Sequence, residues 1–421
     1  SYNTALGRAS MQSNTTGTLN VAVGLASLDA NISGNNNVAV GKDAMYRNTT
    51  GSDNTANGYQ SLYNNTTAAS NTSIGYASML ANTTGADNTA IGRQALTSNT
   101  TASGNTAVGM SALILNTTGV NNTAVGANAL DANTTAPHNT AVGGSALGAT
   151  TTGEENTAIG GEAGGANTTG SGGTFVGKRA GYAQTTGSYN TVVGSQAGYT
   201  LGSGGSNTLV GYKAGRSLAG DGGAGGVNNV LIGNGAGFDS NAYTGARWNI
   251  IIGDFSSGSG GNAEAEIVIG YAVVSGAENR FTFGKGTTDS AINFGATSIT
   301  APSDERLKED INDDVAGLGF INDLRPVTYK WRQEKDIPSE MNAYIEGSTE
   351  RYNNDKTNHG FIAQEVKAVI DNHPELKDGF DMWDVDTTDG RQRVAEGSLV
   401  PMLVKAIQEL STKNDALEAR I

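Results

Sequence analysis

Gly104–Gly119 reads GNTAVGMSALILNTTG. Thr106–Gly109 alternates at period two, as a strand does, and the NTTG of Asn116–Gly119 carries turn chemistry. The sentence then comes back. Asp87–Ala102 is DNTAIGRQALTSNTTA and Asn121–Ala136 is NNTAVGANALDANTTA. The glycine closing each TAVG-like stretch stands at 7, 24, 41, 58, 75, 92, 109, 126, 143, 160, 177, 194 and 211, every step 17 residues. Beyond it the pattern loosens to Gly233, Gly253 and Gly270. A fixed short period means stacked coils. Seventeen residues are too few for a helix-bearing repeat, so the period predicts a narrow β-solenoid over residues 1–270, each coil holding two short strands and two turns. At about 4.8 Å between stacked strands, its repeats make a rod roughly 75 Å long.

Within a coil, Thr106 and Val108 face one way and Ala107 and Gly109 the other. One thin coil buries little apolar surface, so the small face is expected to need a partner, and a parallel homotrimer supplies one. Four residues past the key glycine a row of Leu or Met, such as Leu113 and Leu147, becomes Gly164, Gly181, Gly198 and Gly215, which predicts a change of packing near residue 160. The pairs Thr100–Thr101, Thr117–Thr118 and Thr134–Thr135 form a hydroxyl ladder. Such a ladder either satisfies turn backbones or offers a flat polar surface to glycan or ice.

The totals exclude several classes. Cysteine is absent, which removes disulfides, thiolate zinc sites and a Cys nucleophile. The chain begins inside a repeat without an initiator Met, as a fragment or processed chain would, and SYNTALGRAS lacks the basic-then-apolar pattern of a signal peptide. Net charge is -14 with no basic stripe, which argues against nucleic acid and against an anionic membrane surface. No apolar run is long enough for membrane insertion. Residues 1–302 hold 11 Lys and Arg against 15 Asp and Glu, residues 303–421 hold 15 against 25, and glycine divides 53 to 7. The composition therefore breaks near residue 300.

Other motifs carry little. GGTFVGKR at 172–179 has Arg179 where a phosphate loop needs Ser or Thr, and Gly177 already belongs to the repeat. The Asn-Thr-Thr triplets match glycosylation acceptors and turns equally. DMWDVDTTDGRQRVAE at 381–396 puts Asp389 where a calcium loop needs Gly. His138, His359 and His373 are too scattered for zinc. No metal and no cofactor is expected.

After residue 270 the period fades into a β-rich junction over 271–302. Four further stretches follow: SDERLKEDI (303–311), LRPVTYKW (324–331), HGFIAQEV (359–366) and a C-terminal segment, about 399–421. In the last, Leu403, Ile407, Leu410, Asn414, Leu417 and Ile421 alternate by four and three, a coiled-coil seam whose polar member, Asn414, sets register. A Ser and a Lys five apart, Ser303 and Lys308, can form a nucleophile and its base if burial or a neighbouring cation such as Arg306 favours the neutral amine. SDERLK also reads as a helix cap with acids in its first turn.

The repeat NTAVGxxAL resembles the head repeats of trimeric bacterial adhesins, left-handed parallel β-rolls built as trimers. The four later stretches, in that order over residues 303–421, resemble the endosialidase-type intramolecular chaperone domain found at the C-terminus of phage tail fibres and tail spikes. That resemblance implies a small α/β chaperone that brings three chains together and then cuts itself off between Pro302 and Ser303. It makes Ser303 the nucleophile and Lys308 the general base, with Asp304, Arg306, His359 and Glu365 in support. It implies an extracellular virion fibre, made in the host cytoplasm, that contacts a host-surface glycan or protein receptor. The alternatives are a bacterial surface adhesin of similar build, or a passive Thr-ladder binder of glycan or ice whose assembly domain stays attached.

Overall fold

The computed structural model describes residues 2–219, 226–237, 245–296, 299–300, 303, 305–376, 382–385 and 390–420. The chain divides into two compact units, Ser1–Pro302 and Ser303–Ile421.

The first unit is a β-solenoid. Strands β1 (Thr4–Leu6) to β16 (Ile267–Tyr271) stack in parallel, one to a coil. Register is strict: Thr106, Ala107 and Val108 of β7 (Thr106–Val108) lie on Thr123, Ala124 and Val125 of β8 (Thr123–Val125). The parallel stack runs one strand past the predicted end, to β17 (Arg280–Lys285), and β18 (Thr288–Asn293) then folds back antiparallel.

Each coil has one strand where two were expected. On the opposite side Ser111 and Leu113 take left-handed φ of 58° and 51°. The reason lies in the core. Ala112 and Leu113 are adjacent and both fully buried. A strand would send them to opposite faces, so the backbone leaves the strand conformation to seat both inside. Inter-coil bonds persist there, with Leu113 N–H donating to Ala129 O at 3.0 Å.

The 17-residue glycine has its own cause. A Cβ on Gly109, at φ 139°, would stand 2.5 Å from the carbonyl oxygen of Gly126 one coil on. Coils stack too closely there for any side chain.

The small face is not left for a partner. Ala107, Ala112 and Leu113 belong to one buried cluster inside the single chain's coil, running the length of the rod. The outward rows are Thr106 and Val108 with their counterparts, such as Ile91 and Ile159, exposed at 38% and 44%.

The Leu-to-Gly change near residue 160 has a packing explanation. Burying a Leu contributes about 1.5–3 kcal/mol, while a non-glycine left-handed residue costs roughly 1–2 kcal/mol. The two nearly offset, so the row can change once another residue fills the core. The strand centre does this, as Ala107 and Ala141 give way to Phe175, Val192, Leu209 and Leu231, all buried. The Gly181 position, at φ 59°, lies against the Phe175 ring with no room for a Cβ.

Two buried asparagine ladders tie the coils. Asn122 N–H donates to Asn105 Oδ1 at 2.9 Å, and its Nδ2 donates to Ala136 O at 2.9 Å. At the turn, Asn116 Nδ2 donates to Asn99 Oδ1 at 3.2 Å and to Gly119 O at 2.9 Å. The ladder hydroxyl of Thr117 donates to Thr134 O at 3.0 Å. This is the backbone-satisfying role of the two read from the sequence.

The second unit is small and mixed. It contains α1 (Leu318–Asp323), β19 (Val327–Tyr329) paired with β20 (Asn358–Gly360), α2 (Ala363–Asn372), β21 (Trp383–Val385) paired with β22 (Gln392–Val394), and α3 (Val400–Glu418). Phe320, Val366, Ile370, Met382, Leu399 and Met402 form its core. Helix α3 buries Met402 and Ala406, and Glu409 accepts the Leu318 N–H at 3.0 Å at the start of α1. Its seam residues Leu403, Ile407, Leu410 and Leu417 are 42–66% exposed. Asn414 is exposed beside them, and Ile421 lies outside the described residues. No described helix is long and apolar enough to cross a membrane.

Candidate active site

Ser303 opens the second unit. A single 3₁₀ turn, Glu305–Leu307, follows it, closed by the Lys308 N–H on Glu305 O at 3.0 Å. The turn folds the chain back far enough for the long Lys308 side chain to reach Ser303. Lys308 Nζ donates to Ser303 Oγ at 2.8 Å. The expected helix after Ser303 is only this short turn, and among the described residues the Ser303 hydroxyl caps no backbone N–H. The Ser–Lys pair is thus formed, with both side chains exposed to water.

That geometry is what proton transfer requires: a nucleophile and an amine within hydrogen-bond reach. A Lys that donates as an ammonium must first lose a proton to serve as base, and desolvation favours the neutral amine. Pro302 and Asp304 lie outside the described residues. Arg306 stands inside the 3₁₀ turn, exposed.

The two more distant supporting residues are placed elsewhere. Glu365, in α2, is held by Arg325 through two bonds, Nε to Oε2 at 2.8 Å and Nη2 to Oε1. The guanidinium lowers the Glu365 carboxyl below its ordinary range. His359 lies in β20, opposite Thr328, and lines a cleft with Pro326, Phe361 and Glu396. Among the described residues, neither His359 nor Glu365 bonds to Ser303 or Lys308. The stretches LRPVTYKW and HGFIAQEV are therefore joined to each other, by the β19–β20 pair and by Arg325–Glu365. Arg325 was missed in the sequence, although a charged residue stood next to Pro326 in a stretch already singled out.

A cavity of about 720 Å³ also opens in this unit, with Trp331, Tyr352, Arg332, Arg391 and Arg393 in its lining. Arg391 Nη1 donates to the Tyr352 hydroxyl at 3.1 Å. The dyad does not line it. Its signal was the basic RQR at 391–393, inside the stretch weighed as a calcium loop. Of that loop, residues 381 and 386–389 lie outside the described ones. Among the described residues no group of His, Asp or Glu is arranged to hold a metal ion.

Residues 303–374 match the sequence profile of a family described as chaperone of endosialidase. No curated protein and no solved structure matches the chain. The profile begins at Ser303, the first residue of the second unit. Together, this chaperone domain and the β-solenoid fit a phage-fibre-like protein with an assembly chaperone.

Proposed function

We propose that the chain is part of a trimeric phage tail fibre whose C-terminal unit aligns three copies and then releases itself by cutting Pro302–Ser303. The observation that carries this is the 2.8 Å bond between Lys308 and Ser303 at the first residue of that unit. The neutral Lys308 amine takes the hydroxyl proton of Ser303, and Oγ attacks the Pro302 carbonyl carbon. The C–N bond breaks, the proton passes to the Ser303 nitrogen, and an ester joins Pro302 to Oγ. Water then hydrolyses the ester and restores the hydroxyl. The scissile nitrogen is that of Ser303, so the bond cut is an ordinary secondary amide. The tertiary amide of Pro302 lies one bond upstream.

Assembly draws on two exposed surfaces. The α3 seam presents Leu403, Ile407 and Leu410 in a coiled-coil spacing. The rod presents its outer Thr and Val/Ile rows, such as Ile91 and Ile159. Slow, non-local strand pairing gains from chains held in register, and cutting after closure makes assembly kinetically irreversible. The fibre then meets a host-surface glycan or protein receptor. The passive Thr-ladder reading is weakened because the Thr117 hydroxyl is already engaged by Thr134 O.

The test is the intact mass and oligomeric state of fresh protein beside Ser303→Ala. Wild type in two pieces, ending at Pro302 and beginning at Ser303, with the variant whole and both trimeric, supports the reading. Both variants whole and monomeric would overturn it.

A further inference from the structure

Five residues past the key glycine, one side chain per coil forms a row along the rod. Ile114 and Asp131 belong to it, as do Tyr182 and Tyr199 farther on. Between them the row is empty for two coils, at Gly148 and Gly165. Backbone shape does not demand these glycines, since neither has positive φ. Space is tight but not closed: a Cβ would stand 3.3 Å from Asp131 Oδ1 at Gly148 and 3.2 Å from the Glu162 carbonyl oxygen at Gly165, so a side chain there needs a small shift of its neighbour. What the missing side chains make is a cleft of about 510 Å³, within the usual range of small-ligand sites.

The cleft has opposed walls. At one end, Asp131 Oδ1 sits over Gly148, and burial holds its carboxyl above the ordinary range. Among the described residues no cation pairs with it. At the other end is the Tyr182 ring, stacked on Tyr199 at 5.2 Å between centroids. Glu162 lies alongside, fixed by Arg179 at 2.6 Å. Ser145 adds a hydroxyl, and Ala149 and Ala166 complete the lining. The nearby cation Arg179 is engaged with Glu162, so an anionic ligand would meet two carboxylates. A ligand rich in hydroxyl donors with a flat C–H face meets what it needs, because hydrogen bonds to carboxylates are the strong kind.

We propose that the cleft between Asp131 and Tyr182 binds a neutral hexose oligosaccharide. Its hydroxyls donate to Asp131 and Glu162, and one sugar ring rests against Tyr182. This rests on the reading of the rod as the part that meets a cell surface.

The test is a glycan array of neutral hexose oligosaccharides and their sialylated counterparts, probed with the full chain. Gly165→Leu fills the cleft, Tyr182→Ala removes the platform, and Ile114→Gly is the control in the same row. Neutral glycans should bind wild type and the control, and binding should fall by about tenfold or more in the first two variants at unchanged Tm. The proposal is overturned if wild type binds no neutral glycan, if it prefers the sialylated set, or if Tyr182→Ala binds like wild type. Should Gly165→Leu not fold, Tyr182→Ala decides alone. Loss of sugar binding with trimerisation and cleavage intact removes only this site. A sugar-binding chain that stays uncut and monomeric removes only the fibre reading.

Discussion

Lys308 reaches back over one 3₁₀ turn to place its ammonium 2.8 Å from the Ser303 hydroxyl. Chemistry from this pair requires the amine to change from donor to acceptor. Lys308→Met and Lys308→Arg should therefore both abolish cleavage. Arg keeps charge and donors yet does not act as a base. Mass spectrometry of incubated samples checks this, and a cutting Lys308→Arg variant would exclude Lys308 as base.

The α3 seam gives a prediction separate from catalysis. Leu403 and Ile407 are exposed, while Met402 and Ala406 bury the helix. Leu403→Ala with Ile407→Ala should leave the folded unit within about 0.5 kcal/mol of wild type but abolish the trimer. Light scattering and thermal melts read the two effects separately. A trimer that persists would mean the seam does not join copies.

The turn ladder is broken at Thr150. Thr150 stands where its neighbours carry Asn, and both Asn133 Oδ1 and Thr150 Oγ1 are buried without a partner. Thr150→Asn should supply the missing amide and stabilise the rod by about 1 kcal/mol. Asn116→Ala should do the opposite, costing about 1–3 kcal/mol for the groups it orphans. Thr118→Ala, on the exposed surface, should change little. Denaturant melts of the three variants order them.

Phe175 and Gly181 define a coupled pair. Gly181→Leu drives a side chain into the Phe175 ring and should cost about 1–3 kcal/mol by overpacking. In the Phe175→Ala background the same change should be far milder, since it recreates the Ala-and-Leu coil of Ala107 and Leu113. A double-mutant cycle measures the coupling. Simple additivity would show that the two residues do not exchange the same space.

Glu266 replaces the last Asn of the strand-side ladder. Its N–H donates to Asn249 Oδ1 at 3.0 Å, and its carboxylate accepts the Ser259 N–H at 2.9 Å and the Ser259 hydroxyl. Burial raises this carboxyl above the ordinary glutamate range. The folded state thus favours its protonated form. That contribution is fully present below the unfolded value and is lost as pH rises through the folded one. Glu266→Gln should raise Tm at pH 7, and the gain should shrink toward pH 4. A gain that grows on acidification would reverse the sign.

The sequence determined the solenoid, because a coil that must stack on its own copy repeats its constraints at one fixed interval. Gly109 against Gly126 is such a constraint, and it shows as a 17-residue period without any structure. The sequence also marked the Ser303–Lys308 pair, since five residues and one turn are a local matter. It did not reveal which way the small face points. Ala107 looks like an unpartnered surface until the left-handed backbone at Ser111 and Leu113 turns Ala112 and Leu113 inward to join it. Nor did it show that Glu365 belongs to Arg325, forty residues away, because that pair exists only once β19 lies on β20. The cleft at Gly148 and Gly165 is of the same kind. Two glycines are unremarkable in a glycine-rich chain, and only the stacking of coils sets them between a carboxylate and an aromatic ring. Periodic and short-range constraints are written in spacing, whereas meetings between distant residues are decided by how the chain packs.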